Sequence, residues 1–250
     1  MPNPLQLDKI ITIYGRKPVL EALQDSALEC RTLHWATSNK ASGIARDILD
    51  AVRRRNVEQR EHSRESLSRI SKNGKQDQGV ALDILCPAFQ TTESLATRGG
   101  DPAVRVLALD GLTNPQNVGM IIRSALAGGV DAILYPRKGV AAMGPLVIKA
   151  SVGTVFRAPI VYCDTLAPTL KTLAASGFHI ASLEGAADTS VFDFRPDAAT
   201  VYVLGNETEG VSRDVSRLAD TRLKIPMAGG VESLNVAVAA SLIAYANRFR

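Results

Sequence analysis

The chain is poor in aromatic residues, which make up 5% of its 250 positions. That scarcity argues against an extended base-stacking platform. Cysteine is as sparse. Cys30, Cys86 and Cys163 lie far apart with no C-x-x-C pair, which argues against a disulfide framework and a zinc site and fits a reducing cytoplasm. No apolar run is long enough to span a bilayer. The richest one, Val236 to Ala246, is too short and lacks membrane flanks. The start of the chain lacks a signal-peptide core, and residues 1–8 read as a loose polar leader. Also missing are the glycine fingerprints that cradle phosphates, G-x-G-x-x-G and G-x-x-x-x-G-K-[ST]. Length and a 46% hydrophobic content suit one large core or two smaller ones.

What is present is a mild basic excess, 29 Lys and Arg against 25 Asp and Glu. It permits a polyanionic partner. The excess is concentrated between Arg53 and Lys75, where eight basic residues face three acids, Glu58, Glu61 and Glu65. A solvated helix face and a phosphate-contacting surface are both open readings of this run.

Apolar spacing divides the chain in two. Residues 11–88 read as a small α/β unit: a strand and helix around Gly15, strand 31–37, helix 42–55, a strand or loop at 56–63, helix 64–71 and strand 80–85. Residues 89–102 show no apolar period and end in Gly-Gly-Asp-Pro, so they read as a linker. From residue 103 to 250 strands and helices alternate. Strands are expected at 104–109, 132–135, 155–161, 178–182, 200–204 and 222–225. Helices are expected at 115–127, 144–151, 166–175, 212–219 and 234–249. Such alternation means a parallel sheet covered on both faces. Ligands bind beyond the carboxyl ends of such strands, which points to the loops after Leu109, Leu204 and Ile225.

In the first loop Asn114 suits a helix cap and Pro115 the first helical position. Those roles leave Asn117 and Arg123 unexplained. Arg123 sits among Ile121, Ile122, Ala125 and Leu126. A buried guanidinium there would need an anionic or carbonyl partner, so a structural salt bridge and a working group are both open. The second loop places Gly205-Asn206-Glu207 at a strand end, where Gly205 would let a ligand approach the backbone. In the third, Ser233 suits the cap of the last helix and Asn235 its first turn, beside exposed amide donors.

Taken together, N-x-G-x-x-x-R (Asn117 to Arg123), G-N-E (Gly205 to Glu207) and I-P-M-x-G-x-x-x-S-L-N (Ile225 to Asn235) resemble the three signature motifs of the SpoU (TrmH) family of RNA ribose 2′-O-methyltransferases, in the SPOUT superfamily. The resemblance covers nearly all of residues 104–250. Residues 11–88, opening with "YGRKPVLEAL" after the first strand residues, resemble the family's L30e-like RNA-substrate-binding domain. The resemblance implies an α/β SPOUT domain whose C-terminal chain threads a loop as a deep trefoil knot. It implies S-adenosylmethionine as cofactor, held by Gly205, Ile225 and Leu234, with no metal. It implies Arg123, Asn117, Glu207, Ser233 and Asn235 as catalytic-site residues, a cytoplasmic homodimer, and RNA as partner. The two-domain layout points to a guanosine of large-subunit (23S) ribosomal RNA. A transfer RNA substrate and a non-catalytic RNA-binding protein of the same fold are the alternatives. A Rossmann oxidoreductase fits poorly, because Asp110 comes too early for the ribose-binding acid. On this reading, removing residues 1–100 should weaken RNA binding and spare cofactor binding. Gly205→Val should fill the space the cofactor needs.

Overall fold

The computed structural model describes residues 9–246; the expected leader and the end of the last helix lie outside the described residues. Two compact units, Met1–Pro87 and Ala88–Arg250, divide the chain.

The first unit carries strands β1 (Ile10–Tyr14), β2 (Glu29–Ala36), β3 (Glu58–His62) and β4 (Val80–Leu85), with helices α1 (Arg16–Gln24), α2 (Ile44–Arg55) and α3 (Arg64–Ser71). Its sheet runs β1-β4-β2-β3. Alternation puts Ile11, Ile13, Leu33 and Leu82 into the core. The opposite face carries a polar chain: Thr12 donates to Asp83 at 2.6 Å, His34 meets Asp83 at 3.0 Å, and His34 meets His62 at 2.9 Å. The segment that read as strand or loop is the edge strand β3, and its polar sequence suits an edge. Arg55 is committed to structure. Its guanidinium donates to the carbonyls of Ala22, Leu23, Asp25 and Leu28, and to the Cys30 sulfur. It closes the end of α1 and so drops out of any phosphate-contacting set.

The second unit contains α4 (Thr92–Ala96), β5 (Arg105–Leu109), α5 (Pro115–Gly128), β6 (Ala132–Pro136), α6 (Pro145–Ala150), β7 (Ile160–Cys163), α7 (Leu166–Ala175), β8 (His179–Leu183), β9 (Thr189–Ser190), β10 (Thr200–Leu204), α8 (Arg213–Ser216), β11 (Thr221–Lys224) and α9 (Val236–Ala246). Seven strands form one parallel sheet in the order β7-β6-β5-β10-β8-β11-β9. Central β10 is buried along its whole length, as a strand covered on both faces must be. One core gathers Val106, Leu134, Val161, Leu170, Ile180 and Val201. On the other side α5 and α9 cross so closely that a Cβ on Gly128 would lie 2.6 Å from that of Ala244. Arg105 fastens the crossing, donating to Ala244 O at 2.7 Å and to Gly129 O at 2.8 Å.

Two expectations need correction. Residues 89–102 are not a linker. Phe89 and Leu95 are buried, Gln90 N donates to Ile160 O at 2.9 Å, and Thr91 caps α4. Gly99 serves close packing: a Cβ there would fall 1.8 Å from Ser176 O. The strand expected at 155–161 begins only at Ile160, after a 3₁₀ helix at Thr154–Arg157. Pro159 has no N–H to give the ladder. Two-residue β9 is too short to show any period in the sequence. The three cysteines are free, and burial raises their thiol pKa, that of Cys86 to about 12. A thiolate nucleophile is therefore disfavoured.

The domain boundary can be tested by truncation. A chain starting at Ala88 should melt cooperatively. A chain starting at Asp101 loses the Phe89 and Leu95 side chains from the core and should be less stable by at least about 2–5 kcal/mol, or fail to fold. Thermal unfolding of the two truncations distinguishes a boundary at 87 from one at 100.

Candidate active site

Parallel strands deliver their carboxyl ends to one edge of the sheet, so the loops at 110–114, 205–212 and 225–235 converge there. In the first, Asn114 caps α5 by accepting from Gln116 N at 2.9 Å, with Pro115 at the first helical position. Gly119 is a contact glycine: a Cβ there would stand 2.5 Å from Ala150 Cβ and 2.7 Å from Val147 O. It lets α6 lie directly on α5.

Asn117 is only 5% exposed, and its amide needs partners. Both come from the other two loops. Asn235 Nδ2 donates to Asn117 Oδ1 at 3.0 Å, and Asn117 Nδ2 donates to the Glu207 carboxylate. Asn235 in turn accepts from Ala237 N at 2.8 Å through its own side-chain oxygen. This corrects the expected cap: α9 starts at Val236, Asn235 caps it, and Ser233 is exposed in the preceding loop.

The first and second loops are joined twice more. Ser212 N donates to Asp110 Oδ2 at 2.7 Å, and Asn206 Nδ2 donates to Gly111 O at 3.0 Å. Asp110 and Asn206 thus act as ties between loops, a role that nothing local in the sequence reveals. Asn206 and Gly210 exchange backbone hydrogen bonds at 2.9 and 2.8 Å, folding the loop back on Gly205. A Cβ on Gly205 would lie 2.2 Å from Gly210 C. The loop's own fold-back thus requires a glycine here, in the wall of a concavity described below.

Arg123 is exposed and makes no hydrogen bond or ion pair with any described residue. The buried salt bridge considered for it is excluded by helix geometry. Ile121, Ile122 and Ala125 turn inward, while Met120, Arg123 and Ala127, three to four residues apart, share the outward face.

Two concavities flank the amide relay. One, about 890 Å³, has Gly205, Ile225, Leu234, Glu207 and Ser233 in its wall. Its carboxylates are Glu184, Glu207, Glu209 and Glu232, against the single cation Lys224. Glu184, after β8, accepts from Ser182 and Ser216 hydroxyls at 2.8 Å each. Applying the strand-end rule to β8 as well would have found it. The other concavity, about 380 Å³, holds Arg123 and Asn235 among Met120, Val238, Ser241 and Tyr245. So Glu207 opens on one side of the relay and Asn235 on the other. Among the described residues no group of His, Cys, Asp or Glu could hold a metal ion, and no helix is long and apolar enough to cross a membrane.

Residues 105–245 match the family described as SpoU rRNA Methylase, and residues 12–85 the domain described as RNA 2'-O ribose methyltransferase substrate binding. An uncharacterised tRNA/rRNA methyltransferase of Mycolicibacterium smegmatis is 32% identical over 94% of this chain and 75% of its own length. The crystal structure of the SpoU methyltransferase AviRb from Streptomyces viridochromogenes with the cofactor AdoMet is similar with a TM-score of 0.62, at 27% identity, over 98% of this chain and 92% of that one. A structure concerned with 2-OH methylation of C/U34 on tRNA matches 58% of this chain and 93% of its own, with 28% identity and a TM-score of 0.50.

Asn117→Asp tests the relay. The variant still accepts from Asn235 but sets a second carboxylate against Glu207. At pH 7 it should lose about 1–3 kcal/mol. The crowded carboxyl's pKa is raised in the folded state, so the loss should shrink as pH falls below about 5 and the pair shares a proton. Urea unfolding of variant and wild type at pH 7 and pH 4.5 reads the difference; a pH-independent gap would refute the contact.

Proposed function

The chain belongs to the SpoU rRNA methylase family of RNA methyltransferases, and from that premise we propose that it methylates the ribose 2′-hydroxyl of a guanosine in 23S ribosomal RNA, using S-adenosylmethionine. The observation that carries the reading is the Asn235–Asn117–Glu207 relay set between two concavities, one acidic and one holding an exposed arginine.

The acidic concavity fits the cofactor chemically. Its carboxylates suit a sulfonium and an ammonium group, and Leu204, Ile225 and Leu234 offer apolar wall to an adenine. Gly205, Ile225 and Leu234 would hold the cofactor, which when bound supplies a methyl group on cationic sulfur. The absence of a phosphate-cradling loop agrees with a cofactor that has no phosphate.

On the other side Arg123 has an unspent guanidinium. A guanidinium is a poor general base. Its role is to hold an RNA phosphate and to stabilise negative charge growing on the 2′-oxygen. Asn235 and Asn117 fix the ribose side of the site, Glu207 locks the relay, and the exposed Ser233 anchors its loop or contacts the substrate. The chain acts as a cytoplasmic homodimer on this reading. Met120, Val238 and Tyr245, 41%, 48% and 36% exposed, surround the Arg123 concavity as an apolar rim that a second copy would cover. The return of α9 to pack on α5 and β10 supports the family's threaded C-terminal knot.

The first unit, matching a substrate-binding domain, favours ribosomal RNA. Transfer RNA is the second reading, favoured by the comparison that covers only 58% of the chain. Mapping 2′-O-methyl sites in total RNA from a deletion strain decides between them.

Arg123→Ala should reduce single-turnover methyl transfer by about a hundredfold or more, and Arg123→Lys should not restore it, since lysine lacks the planar fork. Melting temperature and S-adenosylmethionine affinity, measured by calorimetry in chelator, should stay near wild type. Loss of cofactor binding in that variant would remove Arg123 from the RNA side.

Val238→Glu places a charge in the apolar rim and should shift sedimentation from dimer to monomer. An unchanged wild-type-like dimer would place the interface elsewhere.

A further inference from the structure

The basic run between Arg53 and Lys75 does not form one surface. Cys30, which pairs with Ile84, lies on the sheet face covered by α1 and α2, and Arg55 bonds its sulfur. Tyr14 pairs with Ala81, three residues from Ile84 and hence on the opposite face. There its hydroxyl accepts from Asn73 Nδ2 at 2.9 Å, in the loop that follows α3. The α2 arginines and the α3 cations therefore belong to opposite faces of the first unit.

On the α3 face, Arg64, Arg69 and Lys75 line a concavity of about 540 Å³ with Ser68, Gly74 and one acid, Glu65. We propose that this notch, between α3 and the loop at residues 72–79, binds phosphodiester groups of the RNA substrate. The assignment rests on the RNA-methylation reading above. It adds the surface of the first unit that grips the backbone.

The notch is built rather than incidental. Gly74 packs so tightly on α3 that a Cβ would lie 2.1 Å from Ser68 Oγ. Asp77, fully buried, anchors the far side of the loop by accepting from Ser71 Oγ at 2.8 Å and Gly79 N at 2.9 Å. Arg64 reaches across the gap, 3.4 Å from Asp77 and 3.3 Å from Gly74 O, and still leaves half of its side chain exposed. Arg69 and Lys75 are exposed and form no ion pair with any described residue. On the α2 face, by contrast, Arg53 pairs with Asp50 at 3.3 Å and Arg55 is spent on carbonyls. A pair of unpaired cations beside a tethered guanidinium, on a loop anchored by Asp77, suits a phosphate backbone.

The experiment uses the full chain and purified 23S ribosomal RNA as probe, with affinity measured across a salt series. Arg69→Gln with Lys75→Gln should flatten the slope of log affinity against log salt by about 1.4–1.8, the amount expected for two lost phosphate contacts. Arg53→Gln with Arg54→Gln should leave the slope near that of wild type. Both pairs should melt and bind S-adenosylmethionine as wild type does, since all four side chains are exposed. A slope that follows the α2 pair, or neither pair, overturns the notch. Tritiated methyl incorporation by wild type on the same RNA is read separately. Its absence would sink the ribosomal-RNA methylation reading on which the notch rests, whereas methyl transfer with an unmoved slope would sink the notch alone.

Discussion

A buried primary amide governs the second unit. Asn117 has an acceptor and a donor to satisfy in a place water scarcely reaches, and burying them unpaired would be costly. Its partners stand 90 and 118 residues further along the chain. The relay can close only when β5, β10 and β11 end at one edge with their loops folded inward. Asp110 and Asn206 hold the first two loops together by separate bonds. The site is therefore a consequence of sheet order rather than of any single loop.

Arginine is used in two opposite ways. Arg55 and Arg105 give their donors to carbonyls at helix ends, where backbone oxygens lack intrahelical partners. Arg123, Arg69 and the exposed half of Arg64 remain available to an external anion. Residue type and local density of charge do not separate the two uses. Arg53, Arg54 and Arg55 are consecutive, yet only Arg55 turns inward to close α1.

The glycines divide similarly. Gly119, Gly128 and Gly205 sit in or beside the signature segments, and each stands where a Cβ would strike a neighbouring element or its own loop. They bring backbone against backbone: α6 on α5, α9 on α5, and the second loop on itself. Gly99 plays the same part in a stretch that reads as a flexible connector.

Periodicity alone determined much of the architecture: an alternating strand and helix pattern, the bounds of α7 and β10, and three loops at the carboxyl ends of strands. These were legible because they depend on which residues avoid water, a property each residue carries with it. The signature segments likewise marked Asn117, Arg123, Glu207 and Asn235 by type and spacing. Tertiary structure decided the rest. The segment at 89–102 joined the second unit because Phe89 and Leu95 found a core that begins elsewhere in the chain. Arg123 proved exposed because the phase of α5, set by what packs beneath it, turned that position outward. The cap passed from Ser233 to Asn235 because Asn235 also had to reach Asn117. In each case the deciding partner is distant in sequence, and a contact between distant residues exists only once the chain has closed the loop between them.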